Sequence, residues 1–94
     1  MSDALFDWDE ANIRHIGLHG ITPDEVERCV LDEKAVLVEI QSERDEERVR
    51  LIGMSSAGRI LAVVFAMRGT AIRPVTAYPA TRGDQLEYLK QWEI

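Results

Sequence analysis

A chain of 94 residues holds one hydrophobic core and excludes two, and with 46% apolar residues it is expected to fold rather than stay disordered. Seventeen acidic residues against 11 basic ones leave a formal net charge of −6, which argues against a general nucleic-acid binder. The single cysteine, Cys29, excludes an internal disulfide framework and a multi-cysteine zinc site.

Met1-Ser2-Asp3-Ala4 shows neither the basic nor the apolar part of a signal peptide, and the longest apolar run, Ile60 to Met67, is too short to span a bilayer. A cytoplasmic protein is expected. Leu5 to Trp8 alternate apolar and polar, as a short strand does. Asp9 reads as a helix N-cap, with Trp8 and Ile13 at hydrophobic-staple positions, predicting a helix over Glu10–Leu18 that turns Ala11, Ile13 and Ile16 partly inward. Gly20 suits the position after it, where φ is often positive. Thr22-Pro23-Asp24-Glu25 is a capping box with proline at N1, opening a second helix that carries Val26, Cys29 and Val30 on one stripe and ends near Asp32.

Strand patterns follow. Ala35–Ile40 is apolar and β-branched, Gln41–Glu46 is polar and expected to be a loop, and Glu47–Met54 sets Val49 and Leu51 on one face against Arg48 and Arg50 on the other. Ser55-Ser56-Ala57-Gly58 reads as a hairpin connection, Ile60–Met67 as a central strand apolar on both faces, and Arg68-Gly69 as a tight turn. Ala71–Tyr78 is the last strand, and Pro74, which donates no ladder hydrogen bond, places it at an edge or turns its nitrogen away from pairing. Thr81-Arg82-Gly83-Asp84 caps a final helix with Leu86 and Leu89 on one stripe, expected to dock on the sheet, and Tyr88 and Trp92 on another. That second stripe reads either as a wide core-facing surface or as a partner-binding surface, for another protein or a second copy of the chain. The resulting order, β-α-α-β-β-β-β-α, is that of a compact single α+β domain with an antiparallel sheet and flanking helices.

The net charge conceals a split. Residues 1–47 hold 14 acidic and 4 basic residues, whereas residues 48–94 hold 3 and 7. Nine of the 11 bases are arginine, which grips phosphate or carboxylate with a two-pronged fork. The later half therefore has the means for a local anion site, or for ion pairs with the earlier half.

An ordered series of short motifs runs along almost the whole chain: Phe6-Asp7-Trp8-Asp9 with Asn12, His19-Gly20-Ile21, Leu31-Asp32, Glu46-Glu47-Arg48, Ile52-Gly53, the strand Leu61 to Phe65, Arg68-Gly69, Ile72-Arg73-Pro74-Val75-Thr76-Ala77-Tyr78 and Ala80-Thr81-Arg82. In this series the chain resembles the BrnT toxins of BrnT/BrnA toxin–antitoxin pairs. The resemblance implies a RelE-like fold, a metal-independent ribonuclease that cleaves mRNA and slows growth, and a cognate BrnA-like antitoxin of the ribbon–helix–helix type that sequesters the toxin and represses the operon. The chain departs from the family pattern at Leu18, where the family has lysine, and at Tyr78, where many members have arginine. Its tail is also less basic. These departures fall where cationic contacts to RNA are expected, and they motivate an alternative: a toxin-fold binding module with little nuclease activity.

Metal-free RNA cleavage by the 2′-hydroxyl needs a base, an acid and cations for the charge that builds on phosphorus. His19, aligned with the family's His-Gly, is the acid–base candidate, its other role being to interact with helix-terminal carbonyls. Arg48, Arg68 and Arg73 are candidates for the phosphate clamp, with Arg82 and the lower-ranked Arg50 as further RNA contacts. Each is equally suited to a surface ion pair. Tyr78 suits proton donation or base stacking. His15 and His19 stand four residues apart, a metal-binding spacing with no third ligand in view, and neither metal nor cofactor is expected. Cys29 belongs to an apolar stripe and is expected in the core.

Overall fold

The structure, a computed structural model, describes residues 5–43 and 46–93. The reading of Met1 to Ala4 and the tip of the expected 41–46 loop lie outside the described residues. The elements are α1 (Glu10–Gly17), α2 (Pro23–Leu31), β1 (Val36–Glu43), β2 (Glu46–Met54), β3 (Ile60–Arg68), β4 (Ala71–Pro79), α3 (Arg82–Leu89) and a closing 3₁₀ turn, Lys90–Trp92. The four strands form one antiparallel sheet in the order β1-β2-β3-β4, and the α+β reading holds.

Local chemistry sets the helix starts. Asp9 accepts from the Asn12 backbone N–H at 3.0 Å while the Asn12 side chain accepts from the Asp9 N–H at 2.8 Å. Thr22 and Glu25 exchange the same pair of bonds at the head of α2, and the Thr81 hydroxyl accepts from the Asp84 N–H at the head of α3. These bonds satisfy donors that a helix start otherwise leaves open. Gly20, at φ +71°, turns the chain after α1 and sends Ile21 back into the core.

The sheet is covered on both faces, which β3 makes visible. Leu61 and Val63 pack with Ile16, Ile21, Val26 and Cys29 from the α1–α2 side. Ala62, between them, packs instead with Ile52, Ala80 and Tyr88 on the side of α3. All three β3 residues are fully buried, as a strand apolar on both faces requires. Gly53 lets α2 come down onto β2: a Cβ there would lie 2.5 Å from the Cys29 carbonyl oxygen.

Four expectations change. In α1, Ala11 and Ile13 are exposed, and the residues turned inward are Asn12 and Ile16. The first strand shrinks to a single bridge, Phe6 to Ile72, with the Asp7 N–H donating to the Ile72 carbonyl. One side of β4 is occupied by β3, so this segment runs along its outer edge in parallel and ends at the Asp9 cap. The 41–46 loop contracts, because β1 continues to Glu43 and β2 starts at Glu46. In α3 the faces are exchanged. Leu86 and Leu89 are exposed, whereas Tyr88, expected at a partner surface, has no exposed area. The reason is polar as well as apolar: the Tyr88 hydroxyl donates to Asp32, whose second oxygen caps the Lys34 N–H, so the ring is anchored within the fold. Trp92 remains half exposed, with the Lys34 ammonium 5.1 Å from its ring centre.

Candidate functional site

β4 carries an irregularity that decides where one arginine lies. From Leu61↔Pro79 to Val64↔Thr76 the ladder is regular, and it then resumes as Phe65↔Pro74 and Ala66↔Arg73, leaving Val75 as an extra residue. A regular ladder would set Arg73 opposite Met67. The bulge sets it opposite Ala66, which itself pairs with Arg48. Arg48, Ala66 and Arg73 thus stand in register across three strands. Pro74, with no N–H to offer, is tolerated because β4 is at the sheet edge.

Beside this row lies an open cleft of about 270 Å³. Arg48, Arg68 and Arg73 line it, together with Glu46, Pro74 and Val75, and α1 supplies Ala11, Asn12 and His15. Asn12 holds the assembly together. Its buried side-chain amide donates to the Asp7 and Pro74 carbonyls, each at 3.0 Å, tying α1, the leading segment and β4 to one another. The D-x-x-N spacing of Asp9 and Asn12 is the one local signal for this role.

The arginines are held by carboxylates as they converge. Arg73 lies 3.0 Å from Asp9 and 3.5 Å from Asp7, and Arg48 donates to Glu46 at 3.1 Å. Asp7 is also 3.9 Å from Arg68. The Asn12 N–H holds the Asp9 carboxyl below its ordinary range, with Arg73 adding to it, although desolvation pushes the other way. These contacts hold the guanidinium groups beside the cleft while leaving Arg68 and Arg48 partly open to solvent.

The structure therefore brings together three of the residues singled out from sequence, and leaves the others elsewhere. His19 is exposed at the end of α1 and does not line the cleft; its ring centre is 6.1 Å from that of His15, one turn earlier, which does. Tyr78 packs half-buried against the Ile52–Tyr88 cluster on the α3 side. Arg50 is spanned by two carboxylates, Glu39 at 3.1 Å and Asp84 at 2.5 Å, and joins β1, β2 and α3. Arg82 is exposed at the first turn of α3. Among the described residues no group of three metal-ligating side chains gathers, and no helix is long and apolar enough to cross a membrane.

A second cleft, of about 400 Å³, lies between the end of α2 and the 3₁₀ turn, where Leu31, Lys34 and Trp92 face solvent around Asp32 and Tyr88. Its carboxylate is already committed: Asp32 accepts from the Met54 N–H, the Lys34 N–H and Tyr88.

Residues 8–84 match the family model for the BrnT ribonuclease toxin of type II toxin–antitoxin systems. The match includes every residue of the arginine cleft. No curated protein matches the chain.

Proposed function

Since the chain belongs to the BrnT family of ribonuclease toxins of type II toxin–antitoxin systems, we propose that it is a metal-independent endoribonuclease of the cytoplasm that cleaves mRNA and inhibits growth, with the arginine cleft as its active site. The observation that carries the reading is the convergence of Arg48, Arg68 and Arg73, from three different strands, on one open cleft. Three guanidinium groups offer forked donors to a phosphodiester, and they strengthen their hold as negative charge builds on the non-bridging oxygens in the transition state. In the reaction, the ribose 2′-oxygen forms a bond to phosphorus, the bond from phosphorus to the 5′-oxygen breaks, and the 2′-hydroxyl proton leaves as the 5′-oxygen gains one. The products are a 2′,3′-cyclic phosphate and a 5′-hydroxyl end.

A type II toxin has an antitoxin as its partner. We assign that partner to the BrnA-like, ribbon–helix–helix class, and the exposed Leu86, Leu89 and Trp92 support a contact at the α3 end of the molecule, away from the cleft.

Induced expression in bacteria, followed by mapping of transcript ends, tests the reading. Growth arrest with new 5′-hydroxyl ends is expected, and the purified protein should cleave RNA equally well with a metal chelator present. Arg73→Ala should lower the cleavage rate by roughly 10²–10³ and relieve the arrest. Soluble protein that neither arrests growth nor cuts RNA would sink the reading and favour the binding-module alternative.

A further inference from the structure

Three candidates stand out beyond the arginine row: the cleft around Trp92, the outer edge of β1 with its exposed Leu37 and Ile40, and the proton-exchanging groups inside the arginine cleft itself. The first two are surfaces for which no occupant is indicated. The third has the chemistry to act.

We propose that His15 and Glu46 are the acid–base pair of this cleft, Glu46 accepting the proton of the 2′-hydroxyl and His15 donating one to the departing 5′-oxygen. The proposal rests on the ribonuclease reading above and deepens it. The first ground is the composition of the lining. Apart from the three arginines, which stay protonated throughout the working range, Ala11, Asn12, Pro74 and Val75 exchange no protons. His15 and Glu46 are the two remaining groups, and both are side chains that enzymes use for proton transfer.

The second ground is placement. Glu46 begins β2, while His15 stands on α1, which packs against β4. With β3 between β2 and β4, the two groups belong to opposite flanks of the arginine row that crosses these three strands. Displacement at phosphorus proceeds with the attacking and leaving oxygens on opposite sides, so a base and an acid on opposite flanks of a phosphate clamp meet its demand. The third ground is chemical type: a carboxylate suits the proton-accepting role and an imidazole the proton-donating one. The charged and titratable groups near His15 are His19 in the turn after its helix and, sharing the cleft lining, Glu46 and Arg48 from β2, Arg68 from β3 and Arg73 from β4, and Arg73 is itself countered by Asp7 and Asp9.

The balance closes without a co-reactant. One proton passes from the 2′-oxygen to Glu46 and one from His15 to the 5′-oxygen, and solvent restores both groups between turnovers.

The test uses the full chain and a short oligoribonucleotide, with kcat followed against pH for wild type, His15→Gln, Glu46→Gln and His19→Gln. Wild type should give a bell. His15→Gln should lower kcat by roughly 10²–10⁴ and lose the alkaline limb, and Glu46→Gln should lose the acidic limb. His19→Gln should keep both. A substrate whose bridging 5′-oxygen is replaced by sulfur, a leaving atom that needs no protonation, should restore the His15→Gln rate to within tenfold of wild type and leave Glu46→Gln impaired. A merely structural role for His15 would leave the defect in place on the sulfur substrate and overturn the assignment, as would loss of the alkaline limb in His19→Gln instead. Wild-type protein that cleaves nothing overturns the ribonuclease reading, and this pair with it. Wild type that cleaves while His15→Gln and Glu46→Gln cleave equally well overturns the pair alone.

Discussion

Single residues in this protein serve as joints between elements, and Glu25 shows how. Buried at the head of α2, it accepts from both sides of the Arg59 guanidinium at 2.9 and 3.1 Å and from the Ser55 hydroxyl at 3.0 Å, while also capping Thr22. Arg59 holds its carboxyl below the ordinary value, overcoming the burial that pushes the other way. A folded-state value below the unfolded one means stability that is present above about 4.5 and lost as pH falls through the folded value. Asp32 adds to the same window: burial would raise its carboxyl, but Tyr88 and the Lys34 and Met54 N–H groups together bring it below its usual range. Glu25→Gln should therefore cost roughly 2 kcal/mol at neutral pH and lessen the loss of stability in acid, as read by urea melts above and below pH 4.5. Cys29 follows a different logic. Burial, with the nearby charges of Asp32 and Glu25, pushes its thiol up to about 12. Native protein should resist thiol reagents that modify Cys29 at once in denaturant; rapid native labelling would contradict the packing. At this scale the capping residues Asp9, Thr22 and Thr81 were legible in sequence, because each acts within three residues of itself. His15 and Glu46 were not, because what marks them is a shared cleft between segments 31 positions apart in the chain.

Elements were legible where periodicity and punctuation agreed. The α2 stripe of Val26, Cys29 and Val30 and the β2–β3 hairpin with Gly58 at φ +79° follow from local pattern, and of the two placements that Pro74 left open for β4 the sheet order selects the edge. The exchange of faces in α3 did not, since an eight-residue helix with apolar groups on two sides gives no rule for which side docks. The decision came from Asp32, 56 residues away, which offers Tyr88 a hydrogen-bond acceptor that leucine cannot use. The Val75 bulge was equally hidden: Pro74 constrains how β4 pairs but not which residue Arg73 will stand opposite. The seating of α2 on β2 is the most exacting contact between elements, because backbone meets backbone at Gly53 and Cys29. Gly53→Ala should cost about 3 kcal/mol, lowering the urea midpoint while leaving RNA cleavage by the folded fraction intact. An unchanged midpoint would mean that α2 rides higher on the sheet than described.

Across the whole molecule, the charge of −6 and the arginine cleft act at different ranges. Under the proposed function, long-range attraction of RNA is absent or adverse and affinity rests on short-range contacts to phosphate. Binding of a non-cleavable, 2′-deoxy-substituted oligonucleotide should weaken with salt at a log–log slope of about −2, as three arginine–phosphate contacts predict for a single strand. A slope near zero would remove the arginines from the interface. The fold class and the uneven charge were visible from composition and order alone, whereas the cleft depends on how distant segments close. That closure has a bearing on how such a protein is made. Asn12 bonds to the Pro74 carbonyl 62 residues further on, and Asp7 and Asp9 meet Arg73 across a comparable separation. Synthesis runs from the amino end, so the wall bearing His15 emerges early and waits for the strand bearing Arg73. A ribosome making this toxin has therefore built most of the chain before the two walls of the cleft can meet.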